Sequence, residues 1–245
     1  MSQNILVHTG NILILDETKT KASQNPADEL TETLKIILRD SPDIRDGLIT
    51  QINRPENADL NEVDRKELKI TVKVYLSSAK SEFLTEALKH VFSVLNTEKI
   101  ESLIIAYNSN DKQNDILPSL KQLWSSLEKL HINGKICSLG ISDVSTNTFI
   151  ELYEWAKIKP SIVQINLAAC CVVPQALQTF TKENFIQLLT HSDPSQMLPP
   201  EILEEIFGPA VNLNWIVKYQ VHLKCRGILS SKGYLVNINK EKDNK

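Results

Sequence analysis

From residue 68 onward, short apolar runs alternate with segments whose apolar positions fall at helical spacing. Residues 70–76, 102–106, 136–141, 162–167 and 185–190 are rich in Ile, Val and Leu, and several end in polar residues. A run of this kind reads as a strand buried on both faces, the condition met in a parallel sheet. The intervening segments carry Leu84, Ala87, Leu88, Val91 and Leu95, then Leu120, Leu123, Leu127 and Leu130, then Phe149, Ile150, Tyr153 and Ala156. Each set lines one face of a helix. Gly134 is a natural helix stop, and Ser145 or Thr146 a natural cap. Strand starts near 70, 102, 136, 162, 185 and 227 recur every 23 to 42 residues. That is the βαβ period, and it predicts an α/β chain wound into a (β/α)8 TIM barrel or an open parallel sheet. Six strands are visible where a barrel needs eight, so the N-terminal part holds the others or the barrel is incomplete there.

The flanks are less regular. Residues 4–15 read as two short strands about the turn signal Thr9-Gly-Asn11. Leu30, Leu34, Ile37 and Leu38 predict a helix across residues 25–40, and Ile44, Leu48, Ile49 and Ile52 a second one after Pro42. Residues 54–61 form a polar connection, and no strand is placed between 16 and 68. Residues 107–115 form a polar loop long enough to be a binding feature. Pro174 suits the first turn of the helix that follows it. Downstream, Pro194, Pro199, Pro200 and Pro209 interrupt the chain around a short helix at 201–207. A helix over 215–223 and a last strand near 227–230 are expected next. The expected organisation is one domain over residues 1–238 with a frayed tail at 239–245.

Composition narrows the function classes. The 245 residues are 42% hydrophobic, enough for a large single core. A net charge of -3 gives no electrostatic case for nucleic acid or an anionic membrane. No run approaches the roughly 20 apolar residues of a membrane span, and the N-terminus has no basic and apolar leader pattern. The chain is expected in the cytoplasm. Its four cysteines, at 137, 170, 171 and 225, form no Cys-x-x-Cys pair and accompany no histidine cluster, so no metal is expected. Cys170 and Cys171, continuing a strand, would point to opposite sides and not bridge each other easily. Buried packing groups are the simpler reading; a redox-sensitive or partner contact is the alternative.

Gly134-Lys-Ile-Cys-Ser-Leu-Gly-Ile-Ser-Asp143 and Lys159-Pro-Ser-Ile-Val-Gln164 resemble the fifth and sixth strands of aldo-keto reductases, a (β/α)8 family that uses NADPH. Asp64-Arg-Lys-Glu-Leu-Lys-Ile-Thr-Val-Lys73 extends the resemblance and aligns Lys73 with the lysine of that family's catalytic tetrad. Three further stretches are similar to a branch of that superfamily, the regulatory subunits of glutamate–cysteine ligase. They are Val163-Gln-Ile-Asn-Leu-Ala-Ala-Cys-Cys-Val-Val-Pro174, Ile186-Gln-Leu-Leu-Thr-His-Ser-Asp-Pro194 and Cys225-Arg-Gly-Ile-Leu-Ser-Ser-Lys-Gly-Tyr234.

The resemblance implies an aldo-keto-reductase-type barrel that has lost its chemistry. Reduction needs a tyrosine as proton donor, tuned by lysine and aspartate, and a histidine that orients the carbonyl. Ala106 stands where the histidine should be, and residues 16–68 contain no tyrosine. Lys73 is therefore read as vestigial. Ser142 and Gln164 match contacts to the nicotinamide amide, but Asp143 replaces an asparagine and accepts only, while His191 replaces a stacking tyrosine. No bound cofactor is expected, and these four are read as remnants. What the branch implies is a non-catalytic subunit that binds the ligase's catalytic subunit as a heterodimer, raises its substrate affinity and relieves feedback by glutathione. The alternatives are a divergent NADPH-dependent reductase and a nicotinamide-sensing adaptor.

Overall fold

A computed structural model describes residues 2–15, 25–39, 41, 44, 50–54, 63–107, 115–166 and 172–241. In chain order the elements are β1 (Ser2–His8), α1 (Pro26–Arg39), β2 (Gln51–Asn53), β3 (Leu68–Leu76), α2 (Ser81–Val94), β4 (Ile100–Tyr107), α3 (Leu117–Ile132) and β5 (Ile136–Ser142). There follow α4 (Thr146–Trp155), β6 (Ile162–Asn166), α5 (Gln175–Glu183), β7 (Gln187–His191), α6 (Pro200–Phe207), β8 (Val211–Leu223) and β9 (Ile228–Glu241). Two compact units result. One comprises residues 1–70 and 193–245, the other residues 71–192.

The second unit is the regular one. Its strands run parallel in the order β3-β4-β5-β6-β7, each separated from the next by one helix. One row of the register aligns Tyr75, Ala106, Ser142, Gln164 and Leu189 across the five strands. Because side chains alternate along a strand, that row and the residues two away from it share one face. The opposite face carries Val72, Val74, Leu103, Ile105, Leu139, Ile141 and Val163, all buried. The helices turn in Leu84, Leu88 and Val91 from α2 and Leu120, Leu123, Trp124 and Leu127 from α3. On α4 the buried residues are Phe149 and Leu152, whereas Ile150 and Tyr153, expected on that face, are only half-buried. Tyr153 instead meets Phe180 of α5 edge-on, with ring centroids 5.2 Å apart. Ser145 caps α4 as expected, its hydroxyl accepting from the amide of Thr148. Strand β7 starts at Gln187, not 185, because Phe185 lies in the turn after α5.

The first unit departs from the expectation in several places. Its strands lie in the order β2-β1-β9-β8, with β1 parallel to β2 and antiparallel to β9. The second strand expected after Thr9-Gly-Asn11 is a 3-10 turn at Ile12–Ile14. Asn11 holds it by accepting from the Leu13 amide, while its own amide donates to Ser230. Ile52, expected on a helix, sits in β2 opposite Val7. The helix expected over 215–223 is the strand β8, antiparallel to β9. Val217-Lys-Tyr-Gln-Val-His-Leu223 alternates apolar and polar residues, and Val217, Tyr219 and Val221 are buried. That is period two, not 3.6. Strand β9 is correspondingly much longer than residues 227–230 and includes Asn239, Lys240 and Glu241; residues 242–245 lie outside the described part.

Polar groups inside this unit are paired across strands, as burial requires. Asn214 donates to Asn237, which donates to Asn4, linking β8, β9 and β1. Tyr219 donates to the Gly10 carbonyl at 3.1 Å and its oxygen lies 3.0 Å from His8 Nε2. Opposite Tyr219 on β9 is Gly233, where an added Cβ would lie 2.1 Å from the tyrosine oxygen.

Candidate functional site

The carboxyl ends of β3 to β7 bring most of the sequence-predicted site residues to one face of the second unit. Lys73 precedes Tyr75 by two positions on β3, so the two share that face. The lysine is buried, and its Nζ lies 5.2 Å from the Tyr75 ring centroid. Ala106 is in register with Tyr75 on one side and Ser142 on the other. Gln164 follows in the same row, and His191 ends β7 opposite Asn166.

Asp143 sits one residue beyond β5, with φ +62, a left-handed conformation that aspartate tolerates better than most residues. Its amide donates to the Gln164 carbonyl at 3.0 Å, which fixes the turn against β6. The side chain gathers a closed cluster. Ser142 Oγ donates to Asp143 Oδ2 at 2.7 Å, and His191 Nε2 lies 2.9 Å from Oδ1 and 3.1 Å from Ser142 Oγ. Burial works to raise the Asp143 pKa. The hydrogen bonds from His191 and Ser142, together with the charges of His191 and Lys73, outweigh it and hold the carboxyl below its usual value. Both hydrogen bonds favour the ionised, accepting form of the Asp143 carboxyl.

This composition suggests a Ser–His–Asp triad, but the geometry is different. In a hydrolytic triad the carboxylate and the serine occupy opposite nitrogens of the imidazole. Here both lie on Nε2, and the serine proton is directed at the carboxylate. The nitrogen that faces Ser142 Oγ is the same Nε2 that faces the carboxylate. Ala106 offers no proton at the neighbouring position. Gln164 Oε1 is buried and, among the described residues, has no hydrogen-bond partner.

Tyr75 escaped the sequence reading, which sought a tyrosine only between residues 16 and 68; the signal was its i+2 spacing from Lys73 on a strand. Glu128 escaped as well. It is buried in α3, and its Oε1 accepts from the amides of Lys157 at 2.7 Å and Ile158 at 2.9 Å. Cys170, Cys171 and most of the 107–115 loop lie outside the described residues. Cys137 and Cys225, expected as buried or half-buried thiols, are instead free and exposed. Among the described residues, no group of His, Cys, Asp or Glu is arranged to hold a metal ion, and no helix is long and apolar enough to cross a membrane.

The aldo/keto reductase family matches over residues 50–193, which contain all of the site described above. Similarity to individual proteins extends further. The glutamate–cysteine ligase regulatory subunit of Homo sapiens is 30% identical over 261 aligned positions, covering 98% of this chain and 94% of the relative. That of Rattus norvegicus is 30% identical over 257 positions, covering 96% and 92%. Glyoxal reductase of Bacillus subtilis is 30% identical over 146 positions, covering 59% of this chain and 50% of that protein. The parallel β/α strands of the second unit and the match along their length agree on an α/β chain of the (β/α)8 reductase type, with its irregular elements in the flanking unit. The chain belongs to the aldo/keto reductase family, within the branch formed by the regulatory subunits of glutamate–cysteine ligase.

Proposed function

We propose that this chain is a cytoplasmic, non-catalytic subunit of glutamate–cysteine ligase. It binds the catalytic subunit as a heterodimer, raises its affinity for substrate and relieves inhibition by glutathione. The observation that carries this reading is similarity to regulatory subunits along nearly the whole chain, where similarity to a reductase spans little more than half. The site supports it. Lys73, Ser142, Asp143, Gln164 and His191 are remnants of reductase machinery, with Ala106 in the histidine's place and the serine, aspartate and imidazole bonded to one another.

Regulation of this kind is a coupling free energy, typically about 1–3 kcal/mol, and it is reciprocal for binding. If the chain tightens glutamate binding by the partner, glutamate tightens the association of the two subunits by the same factor. Titrating one subunit with the other, with and without glutamate, beside direct glutamate binding, measures both sides. No complex at micromolar concentrations, reduced or oxidised, refutes the proposal.

One observation favours a second reading. Lys73 lies beside Tyr75 on the face that held reductase chemistry in the family, so the pair offers a proton donor and a cation that could tune it. NADPH oxidation with a panel of aldehydes, abolished in Lys73→Met, would support a divergent reductase instead.

A further inference from the structure

We propose that the edge of the second unit formed by the α3–β5, α4–β6 and α5–β7 turns is a docking surface for an acidic, apolar-centred face of the ligase's catalytic subunit. This rests on the regulatory reading above and adds the place of contact. Three helix-to-strand turns of the unit are built alike. After α2, the amides of Asn96 and Thr97 donate to Ser93 and Phe92; after α3, those of Gly134 and Lys135 donate to His131 and Leu130; after α5, those of Phe185 and Ile186 donate to Lys182 and Thr181. Each is the helix-ending turn that needs one left-handed residue. Asn96 supplies it with φ +44 and Gly134 with φ +72, the residue types that accept this conformation most readily. The third position is Phe185, with φ +55, and it is 96% exposed. An aromatic side chain is strained there and covers no part of its own chain, so folding gives it no reason to be present.

One further large apolar side chain lies on the same edge. Ile132, at the end of α3, is 70% exposed; Trp155, at the end of α4, is 42% exposed and carries Lys121 of α3 over its ring. The turns stand side by side because their strands do: Ser161 donates to Leu139, and Gln187 to Ser161. Neighbouring strands are about 4.8 Å apart, so the three turns form one continuous strip. The α2–β4 turn, with Glu98 and Lys99, carries no exposed large apolar residue and bounds the strip.

The charge of the strip selects its occupant. Lys129, Lys135, Lys157, Lys159 and Lys182 lie at these turns beside Glu154 and Glu183, in a chain whose net charge is -3. Lys159 is held on the Tyr153 and Glu154 carbonyls and Lys135 over the Phe92 ring, which leaves Lys129, Lys157 and Lys182 as the basic excess. Glu128 directs its carboxylate onto the amides of Lys157 and Ile158, so it is not presented to an incoming partner. A second copy of this chain, docking through the same strip, would set lysine against lysine. An apolar pocket rimmed by carboxylates fits, with Phe185 as the anchor that fills it.

The test uses the purified chain and the catalytic subunit, with association followed by calorimetry at two salt concentrations. Phe185→Asn, which copies Asn96, should fold at least as stably as the parent in thermal melts yet bind at least tenfold more weakly. Ile132→Ser should weaken binding in the same direction. Lys157→Gln combined with Lys182→Gln should weaken binding and flatten its salt dependence. If the parent binds and Phe185→Asn binds within twofold of it, this edge is not the contact, and the regulatory reading stands without it. If the parent itself does not bind, both fall. Self-association of the chain in sedimentation, lost in Phe185→Asn, would make the occupant a second copy and overturn the proposal.

Discussion

Glu128 controls how the chain leaves α4 and enters β6, and its removal should be felt as lost stability with a specific chemical signature. Its Oε1 accepts two amides, Lys157 at 2.7 Å and Ile158 at 2.9 Å, and Trp124, one turn earlier on α3, donates through Nε1 to the Ile158 carbonyl at 2.8 Å. In Glu128→Ala both amides lose a charged acceptor. Such a bond contributes about 1.5–3 kcal/mol, and because these are partly buried we take the lower end for each, giving roughly 3 kcal/mol together. Glu128→Gln keeps an oxygen that can accept both amides and loses only the charge, so it should cost about 1 kcal/mol. Urea unfolding followed by tryptophan fluorescence and far-UV circular dichroism measures both variants. With a slope of roughly 2–3 kcal/mol/M, the Ala variant's midpoint falls by about 1 M. Trp124 emission should shift as well, because its indole shares the clamp. A Glu128→Ala midpoint within experimental error of the parent, or a Gln variant as damaged as the Ala variant, refutes the reasoning.

In the first unit, Gly233→Ala would place a Cβ 2.1 Å from Tyr219 Oη and 2.4 Å from the Gly10 carbonyl oxygen. The buried ring would have to move off its partners Gly10 and His8, at a cost of about 3 kcal/mol or more; equal stability of parent and variant by urea unfolding would show that the unit yields there. For Asp143, the folded pKa lies below the usual 3.8, so its contribution to stability is full above the unfolded value and is lost as pH falls through the lower, folded one. Stability of the parent should therefore drop more steeply below about pH 4 than that of Asp143→Asn, and parallel curves would contradict the hydrogen-bonded cluster.

Much of the second unit was legible in the sequence because each of its elements carries its own signal. Strands β3 to β6 are apolar runs whose central residues are largely buried, and α2 and α3 present their leucines at helical spacing. Lys73, Ala106, Ser142, Gln164 and His191 were legible as site positions through the resemblance to aldo-keto reductases, and they fall on successive parallel strands. The first unit was less legible for a physical reason. In strand β8, Trp215, Ile216 and Val217 form an unbroken apolar run that fits either period, and the alternation to Leu223 follows only afterwards. Strand β1 was given a local partner after Gly10, whereas its antiparallel partner is β9, more than 200 residues away in sequence.

What the sequence by itself determined is the residue inventory: a lysine without its histidine, a serine–aspartate pair ending one strand, and a helix-and-strand rhythm of the reductase kind. Those follow from side-chain chemistry and local period, which need no partner to be read. The tertiary structure alone decided that Ser142 Oγ and His191 Nε2 meet the same Asp143 carboxylate and each other, and that Glu128 turns inward. It alone put Phe185, whose apolar character suggested a strand interior, into a left-handed turn with its ring in solvent. Each of these depends on distances between residues far apart in the chain or on a single backbone dihedral, and hydrophobic pattern constrains neither.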